Sequence, residues 1–316
     1  MANSRIFFAT DLHGSELCFK KFLSAAKAYS ANVLILGGDL TGKMIVPIME
    51  NDGRWSAKFL GKDTQMKSRD ELSKLESHIR NCGYYPYTSN KQEIEDLNAS
   101  PDKVRALFMK LMLEQVSRWM TLAEERLAST GVKMYVTGGN DDPLEIEPVL
   151  NSSKYVVNPE NKVVDIGGGI EMVSSGFGNI TPWKCPRDIE EDVLLSKLES
   201  IASGVKTTET AVFNLHVPPY DSHLDMAPQL DKNLKVDAHA GTGVMMIPVG
   251  STAVRKIIEK YQPLIGLHGH IHESRAVSKI GRTTCINPGS EYGEGFLRGV
   301  IIDLNQGGFT YVLTSG

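Results

Sequence analysis

The 316-residue sequence predicts an α/β fold, and three observations carry that expectation. Short runs of β-branched and aromatic residues recur and end in polar residues or glycine. Helix-spaced apolar residues lie between the earlier runs. Near the C-terminus the strands follow one another with only short links.

Taken in order, "RIFFAT" ends at Asp11 and "NVLILGG" at Asp39. "VKMYVTGG" ends at Asn140, "AVFNLH" at His216, and "LIGLHGHIH" in histidines. The first four are continuous apolar runs bounded by turn signals, as expected of strands buried on both faces. Leu17, Phe22, Leu23, Ala26 and Tyr29 keep helical spacing after the first run, as do Ala253, Ile257, Ile258 and Tyr261 before the histidine-rich one. "RAVSKI", "RTTCIN", "FLRGVIIDL" and "FTYVL" read as an antiparallel meander on the α/β core.

Residues 43–130 interrupt the alternation and are expected to form a largely helical insertion within one domain spanning 1–316. A hairpin is expected around Asn51-Asp52-Gly53. Leu72, Leu75 and Ile79 suggest a short helix, and Tyr84, Tyr85 and Tyr87 either pack the insertion or line a pocket. Ser100 as N-cap, Pro101 at the first helical position and Gly131 past the end then bracket a long helix.

Composition narrows the function classes. A net charge of -4 offers no basic excess, which argues against a large nucleic-acid footprint. No apolar run reaches the roughly 18 residues of a membrane helix. The four cysteines, Cys18, Cys82, Cys185 and Cys285, form no C-x-x-C pair. With no charged-then-apolar leader, the expectation is a cytoplasmic protein with reduced thiols.

The polar residues that end the strands carry the chemistry. Ligands bind at the carboxyl ends of strands in open α/β sheets. Asp11, His13, Asp39, Asn140, His216, His270 and His272 lie at or just beyond such ends. They offer nitrogen and oxygen donors only, a set suited to Mn, Fe, Zn or similar ions. Seven donors are too many for one tetrahedral ion and suit two, with a carboxylate shared between them.

The ordered blocks "DLH", "GGD", "GGN", "LHVPP" and "GHIH", followed by "INPGS", resemble those of the calcineurin-like metallophosphoesterases. The resemblance covers most of the chain outside residues 43–130 and implies a four-layer α/β/β/α sandwich. It also implies that Asp11, His13 and His272 hold one metal, that Asn140, His216 and His270 hold a second, and that Asp39 bridges them. The implied reaction is in-line attack on a phosphoester, most simply a small phosphodiester, by a hydroxide between two divalent or trivalent metals. Two rival readings stay open: a metal-binding scaffold of the same fold with weak activity, and a nuclease of the same superfamily.

Other polar residues near these blocks have several readings. His268 is expected to support a neighbouring ligand rather than be one. His223 could touch substrate from its loop. Arg187, in "TPWKCPR", could meet a phosphate at the rim, or belong to an ordinary loop before a helix near Asp188. Asp142-Pro143-Leu144-Glu145 reads as a helix start with Asp142 as N-cap. Asp141 stands where the family usually has a histidine, close to the metals and able to protonate a leaving group. An aspartate there is expected to be ionised, to point away or bind another cation, and to be a poor proton donor.

Overall fold

The computed structural model describes residues 4–239, 243–305 and 308–316. Two sheets face each other. One runs in the order Gly308–Ser315, Arg298–Asn305, Ser4–Ala9, Val33–Leu36, Lys133–Val136. The last three of these are parallel, and Arg298–Asn305 pairs antiparallel to Ser4–Ala9. The other runs Ala276–Ile280, Thr283–Asn287, Ile265–Leu267, Val212–Leu215, Ile170–Ser175, Val163–Gly167, with the four central strands parallel.

Side-chain alternation along the first strand shows the layering. Ile6 and Phe8 join Met172, Val212, Ile265 and Ile286 in a core between the sheets. Phe7 and Ala9 instead face a second core made with the helices Glu16–Ala28, Pro101–Leu127 and Ile146–Ser152. On the far side Phe213, Leu215 and Cys285 pack under Glu191–Ala202 and Thr252–Tyr261. The result is the expected α/β/β/α stack.

Two expectations are corrected. The C-terminal strands are not one meander. Ala276–Ile280 and Thr283–Asn287 form a hairpin in one sheet, and Arg298–Asn305 and Gly308–Ser315 form a hairpin in the other. The chain crosses between sheets through the segment that holds Asn287 to Ser290.

The second correction concerns residues 43–130, which are not simply a hairpin and helices. A four-stranded sheet opens the segment, in the order Lys62–Met66, Arg54–Phe59, Ile45–Asn51, Tyr85–Asn90. The hairpin at Asp52-Gly53 forms as expected, with φ of 49° and 74°, the left-handed pair that such a turn requires. A second hairpin follows at Leu60-Gly61. Tyr85–Asn90 tolerates Pro86 because it is the edge strand of this sheet. Tyr85 packs rather than lines a pocket: it is buried against Phe108, and its hydroxyl accepts from the Gly42 amide at 2.8 Å.

The long helix Pro101–Leu127 begins as the sequence implies, with the Ser100 hydroxyl as cap and proline in its first turn. Its 27 residues give a length of about 40 Å. It locks the segment onto the sandwich at two points. Gln115 Nε2 donates to the Gly14 carbonyl at 2.9 Å, and Trp119 stacks on Phe19 with ring centroids 4.2 Å apart. No helix among the described residues is long and apolar enough to cross a membrane.

Trp119 is nearly fully buried in the helix-side core. Trp119→Ala is therefore expected to lower stability by about 3–5 kcal/mol. Urea unfolding measures this, and a loss under about 1 kcal/mol would show that this helix is not tied to the core as described.

Candidate metal centre

The carboxyl ends of five parallel strands, three from one sheet and two from the other, meet at one edge of the sandwich. Asp11 and His13 follow Ser4–Ala9, Asp39 follows Val33–Leu36, and Asn140 follows Lys133–Val136. His216 follows Val212–Leu215, and His270 and His272 follow Ile265–Leu267. All seven residues named from the sequence come together here.

The turns that present them are tight. Asp11, His13, Asp39 and His270 have φ of 55°, 40°, 51° and 67°, a left-handed region that costs non-glycine residues roughly 1–2 kcal/mol each. Glycines make the room. Gly38 has φ of 121°, and a Cβ there would lie 2.4 Å from His216 Nδ1. A Cβ on Gly139 would lie 2.1 Å from Asp39 Oδ1.

Two groups of donors lie within 4.8 Å of one another: Asp11, His13, Asp39 and His272, and Asp39, His216 and His270. Asp39 belongs to both. His13 Nε2 is 3.0 Å from His272 Nε2 and 3.5 Å from Asp39 Oδ2. His216 Nε2 is 3.3 Å from Asp39 Oδ1 and 3.8 Å from Asp11 Oδ1. Asn140 joins the second group, its Oδ1 lying 2.9 Å from His270 Nδ1.

The neighbouring polar groups set the direction of these donors. His216 Nδ1 lies 3.0 Å from the Gly37 carbonyl, which can only accept, so Nδ1 donates there and Nε2 is turned toward the carboxylates, where it has no hydrogen-bond partner. Asn140 Nδ2 donates to Asp188 Oδ1 at 3.0 Å, which turns the amide oxygen inward. Asp188 is itself held by Thr181 and the Cys185 amide. Nothing local marks Asp188 as a site residue, since in sequence it reads as a helix start. The Asp11 carboxylate accepts from the His270 amide at 3.0 Å, and Ser290 Oγ donates to the Asp11 carbonyl at 2.7 Å.

Charge completes the description. Asp11 is fully buried; burial alone would raise its carboxyl, but His272 and His216 bring it down to about 2. Asp39 is likewise held well below the usual carboxylate range, with its burial outweighed by His216, His13 and His270. Burial drives His13 to about 3 and His270 to about 4, so both rings are neutral. His216 is carried up to about 9, because Asp39 and Asp11 outweigh its burial. Two buried anions with two neutral imidazoles beside them, and with His216 and His272 drawn upward by those same carboxylates, mark a place that attracts positive charge, and buried charges are normally paired or coordinate metals. This donor set fits a pair of divalent cations.

The structure relocates the remaining expected residues. Asp142 does not cap the following helix, which starts at Ile146 with Glu145 in the cap position and no side-chain cap bond. Its buried carboxylate instead accepts from the amides of Leu40, Thr41 and Gly139 and from the Thr41 hydroxyl, at 2.6–3.1 Å. It clamps the loop after Asp39 to the loop before Asn140. Arg187 does not line the rim. It is fully buried, bonds Glu147 at 2.6 Å and donates to the carbonyls of Asp142 and Pro143. His268 is buried with Nδ1 2.7 Å from the Leu215 carbonyl, one residue before His216, and belongs to neither donor group. His223 is exposed and also lies outside both groups.

Asp141 sits at the mouth. Its amide donates to Asp39 Oδ1 at 3.0 Å. Its carboxylate turns to Lys43 Nζ, 3.3 Å away, and lies 3.9 Å from His13 Nδ1. Burial and Asp39 push the Asp141 carboxyl above its ordinary value, while Lys43 opposes them. Lys43 is a site residue that the sequence does not mark, since a lone lysine after "LTG" carries no pattern.

No family model matches the chain. It is 34% identical over 168 residues to the uncharacterized protein MJ1162 of Methanocaldococcus jannaschii, a match covering 52% of this chain and 68% of that protein. It is similar in fold to the solved structure of TT1561 of Thermus thermophilus, with a TM-score of 0.55 and 12% identity over 98% of both chains. Another solved structure matches at a TM-score of 0.55 and 14% identity, over 98% of this chain and 99% of that one.

Behind the centre, Glu160 closes the end of the strand Ile170–Ser175. Its carboxylate accepts from the Gly176 amide at 2.7 Å and the Ser175 hydroxyl at 3.4 Å. Burial pushes this carboxyl from 4.5 up to about 7, against the Gly176 bond, Arg187 and Lys197, while Glu147 adds to the rise. A raised carboxyl binds its proton more tightly in the folded state. Its stabilising contribution is full below about pH 4.5 and is lost as pH rises through about 7. Glu160→Gln is therefore expected to gain on the parent as pH rises, by roughly 2–3 kcal/mol at pH 8. Denaturant melts from pH 5 to 8 measure it; a difference that does not change with pH would contradict the assignment.

Proposed function

We propose, from the premise that this chain belongs to the same family as MJ1162 and is a calcineurin-like metallophosphoesterase by fold, that it is a dinuclear metal-dependent phosphoester hydrolase. One observation carries the reading: the two donor groups at the strand ends share Asp39. Asp11, His13 and His272 would hold one ion, and Asn140, His216 and His270 the other, with Asp39 between them. Two ions so held supply Lewis-acid activation of water and charge neutralisation for in-line displacement at phosphorus.

The residues of the chain set the rest. The Gly37 carbonyl and Asp188 fix the ligating atoms of His216 and Asn140, so little reorganisation remains when an ion binds. Asp142 keeps Asp39 and Asn140 in one frame through its clamp on both loops. Asp141 occupies the position next to Asn140, where a proton donor to the leaving group would stand, and a carboxylate there serves that role poorly at neutral pH. The reading therefore favours a small phosphodiester, or another ester whose leaving group departs without much protonation.

Metal analysis of the purified protein and a screen of phosphomonoesters, phosphodiesters and cyclic nucleotides with Mn, Fe, Zn and Mg test this directly. The expected outcome is two ions per chain, activity abolished by chelation, and faster turnover of diesters or acidic leaving groups than of alkyl monoesters. Asp39→Ala is expected to lose both ions. Two bound ions with no turnover of any ester would favour the scaffold reading instead, and equal turnover of alkyl monoesters would remove the diester preference.

A further inference from the structure

We propose that Lys43, held in place by Asp141, binds the phosphate oxygens of the substrate at the open side of the donor cluster; this rests on the hydrolase reading above. Both backbones are fixed. The Asp141 amide is tied to the shared carboxylate of Asp39 at 3.0 Å. Lys43 ends the loop that Asp142 clamps at Leu40 and Thr41 and that the Tyr85 hydroxyl anchors at the Gly42 amide. The two side chains therefore meet over the mouth as a consequence of rigid loops rather than of a chance surface encounter, with Lys43 Nζ 3.3 Å from Asp141 Oδ2.

The charges make the pairing useful. Asp11 and Asp39 already place two carboxylates in the centre, and an unpaired third at the mouth would repel an arriving phosphate. Lys43 cancels that third charge. An ammonium carries three donors, so one bond to Asp141 leaves two for another acceptor. The Lys43 side chain is 51% exposed, so those donors are open to a ligand from solvent. The Tyr292 ring packs on His13 with centroids 4.8 Å apart. A stability role does not account for the pair, since half-exposed ion pairs contribute about 0–1 kcal/mol. In this arrangement Asp141 is a positioning residue, and the bond from lysine to phosphate is the specific contact.

The test is calorimetric titration of inorganic phosphate into the metal-loaded protein and into Lys43→Met, Lys43→Arg, Asp141→Asn and the Lys43→Met/Asp141→Asn double variant. Metal content is measured on each, with KM and kcat taken on the best ester from the screen. Lys43→Met is expected to keep both ions, to weaken phosphate binding about ten-fold, and to raise KM more than it lowers kcat. Lys43→Arg should recover part of the loss. Asp141→Asn should weaken binding about three-fold alone and add nothing in the Lys43→Met background, the non-additivity expected of a residue acting through its partner. Unchanged phosphate affinity in Lys43→Met with full metal content would overturn this inference and leave the hydrolase reading standing. Tighter phosphate binding by Asp141→Asn, with or without Lys43, would show that Asp141 only repels and would also overturn it. A parent protein that binds neither metal nor phosphate would overturn both.

Discussion

Two carboxylates, Asp11 and Asp39, are buried where the two sheets of the sandwich meet, and the surrounding structure is arranged around their charge. Ionised groups are costly away from water unless paired or bound to metal. Here three histidines from strands of both sheets stand against them: His216 Nε2 lies 3.3 Å from Asp39 and 3.8 Å from Asp11, His272 Nε2 lies 3.6 Å from Asp11, and His13 Nε2 lies 3.5 Å from Asp39. Neither sheet could assemble the set alone. Asp11, His13, Asp39 and Asn140 come from one, and His216, His270 and His272 from the other. The core between the sheets, with Phe8, Ile35, Val212 and Ile265, thus fixes the distance between the two halves of the centre as well as the stability of the domain.

The arrangement also explains where the backbone is strained. Four of the donor residues adopt left-handed φ, and the glycines beside Asp39 and Asn140 leave no space for a Cβ. Conformations of this kind persist when the surroundings over-determine them. Asp142 is one such constraint, since one carboxylate holds three backbone amides drawn from two loops. Arg187 holds the Asp142 carbonyl in turn and is anchored by Glu147, so the centre is supported by a connected polar network behind it.

Much of the fold and of the centre is legible in the sequence because both depend on local patterns. Buried parallel strands show as continuous apolar runs, and a polar residue that ends such a run marks the sheet edge where ligands bind. Asp11, Asp39, Asn140, His216 and His270 are all found that way. The residues that sequence misplaces are those whose roles depend on distant partners. Asp142-Pro143-Leu144-Glu145 carries the local signature of a helix start, yet the carboxylate bonds amides about a hundred positions away in the chain. Arg187 looks like a rim cation until Glu147, forty residues earlier, is placed beside it. Lys62–Met66 is mostly polar and Tyr85–Asn90 contains a proline, so their membership of the small sheet shows only through Arg54–Phe59 and Ile45–Asn51. The C-terminal hairpins look continuous in sequence because nothing local says which sheet a strand will join.

The account depends above all on Asp39 being shared. Anomalous diffraction from crystals of the protein grown with manganese tests it most directly. The account predicts two peaks about 3.5–4 Å apart, with Asp39 contributing an oxygen to each and Asn140 Oδ1 reaching the one beside His216 and His270. A single ion, or two ions that do not share Asp39, would contradict it.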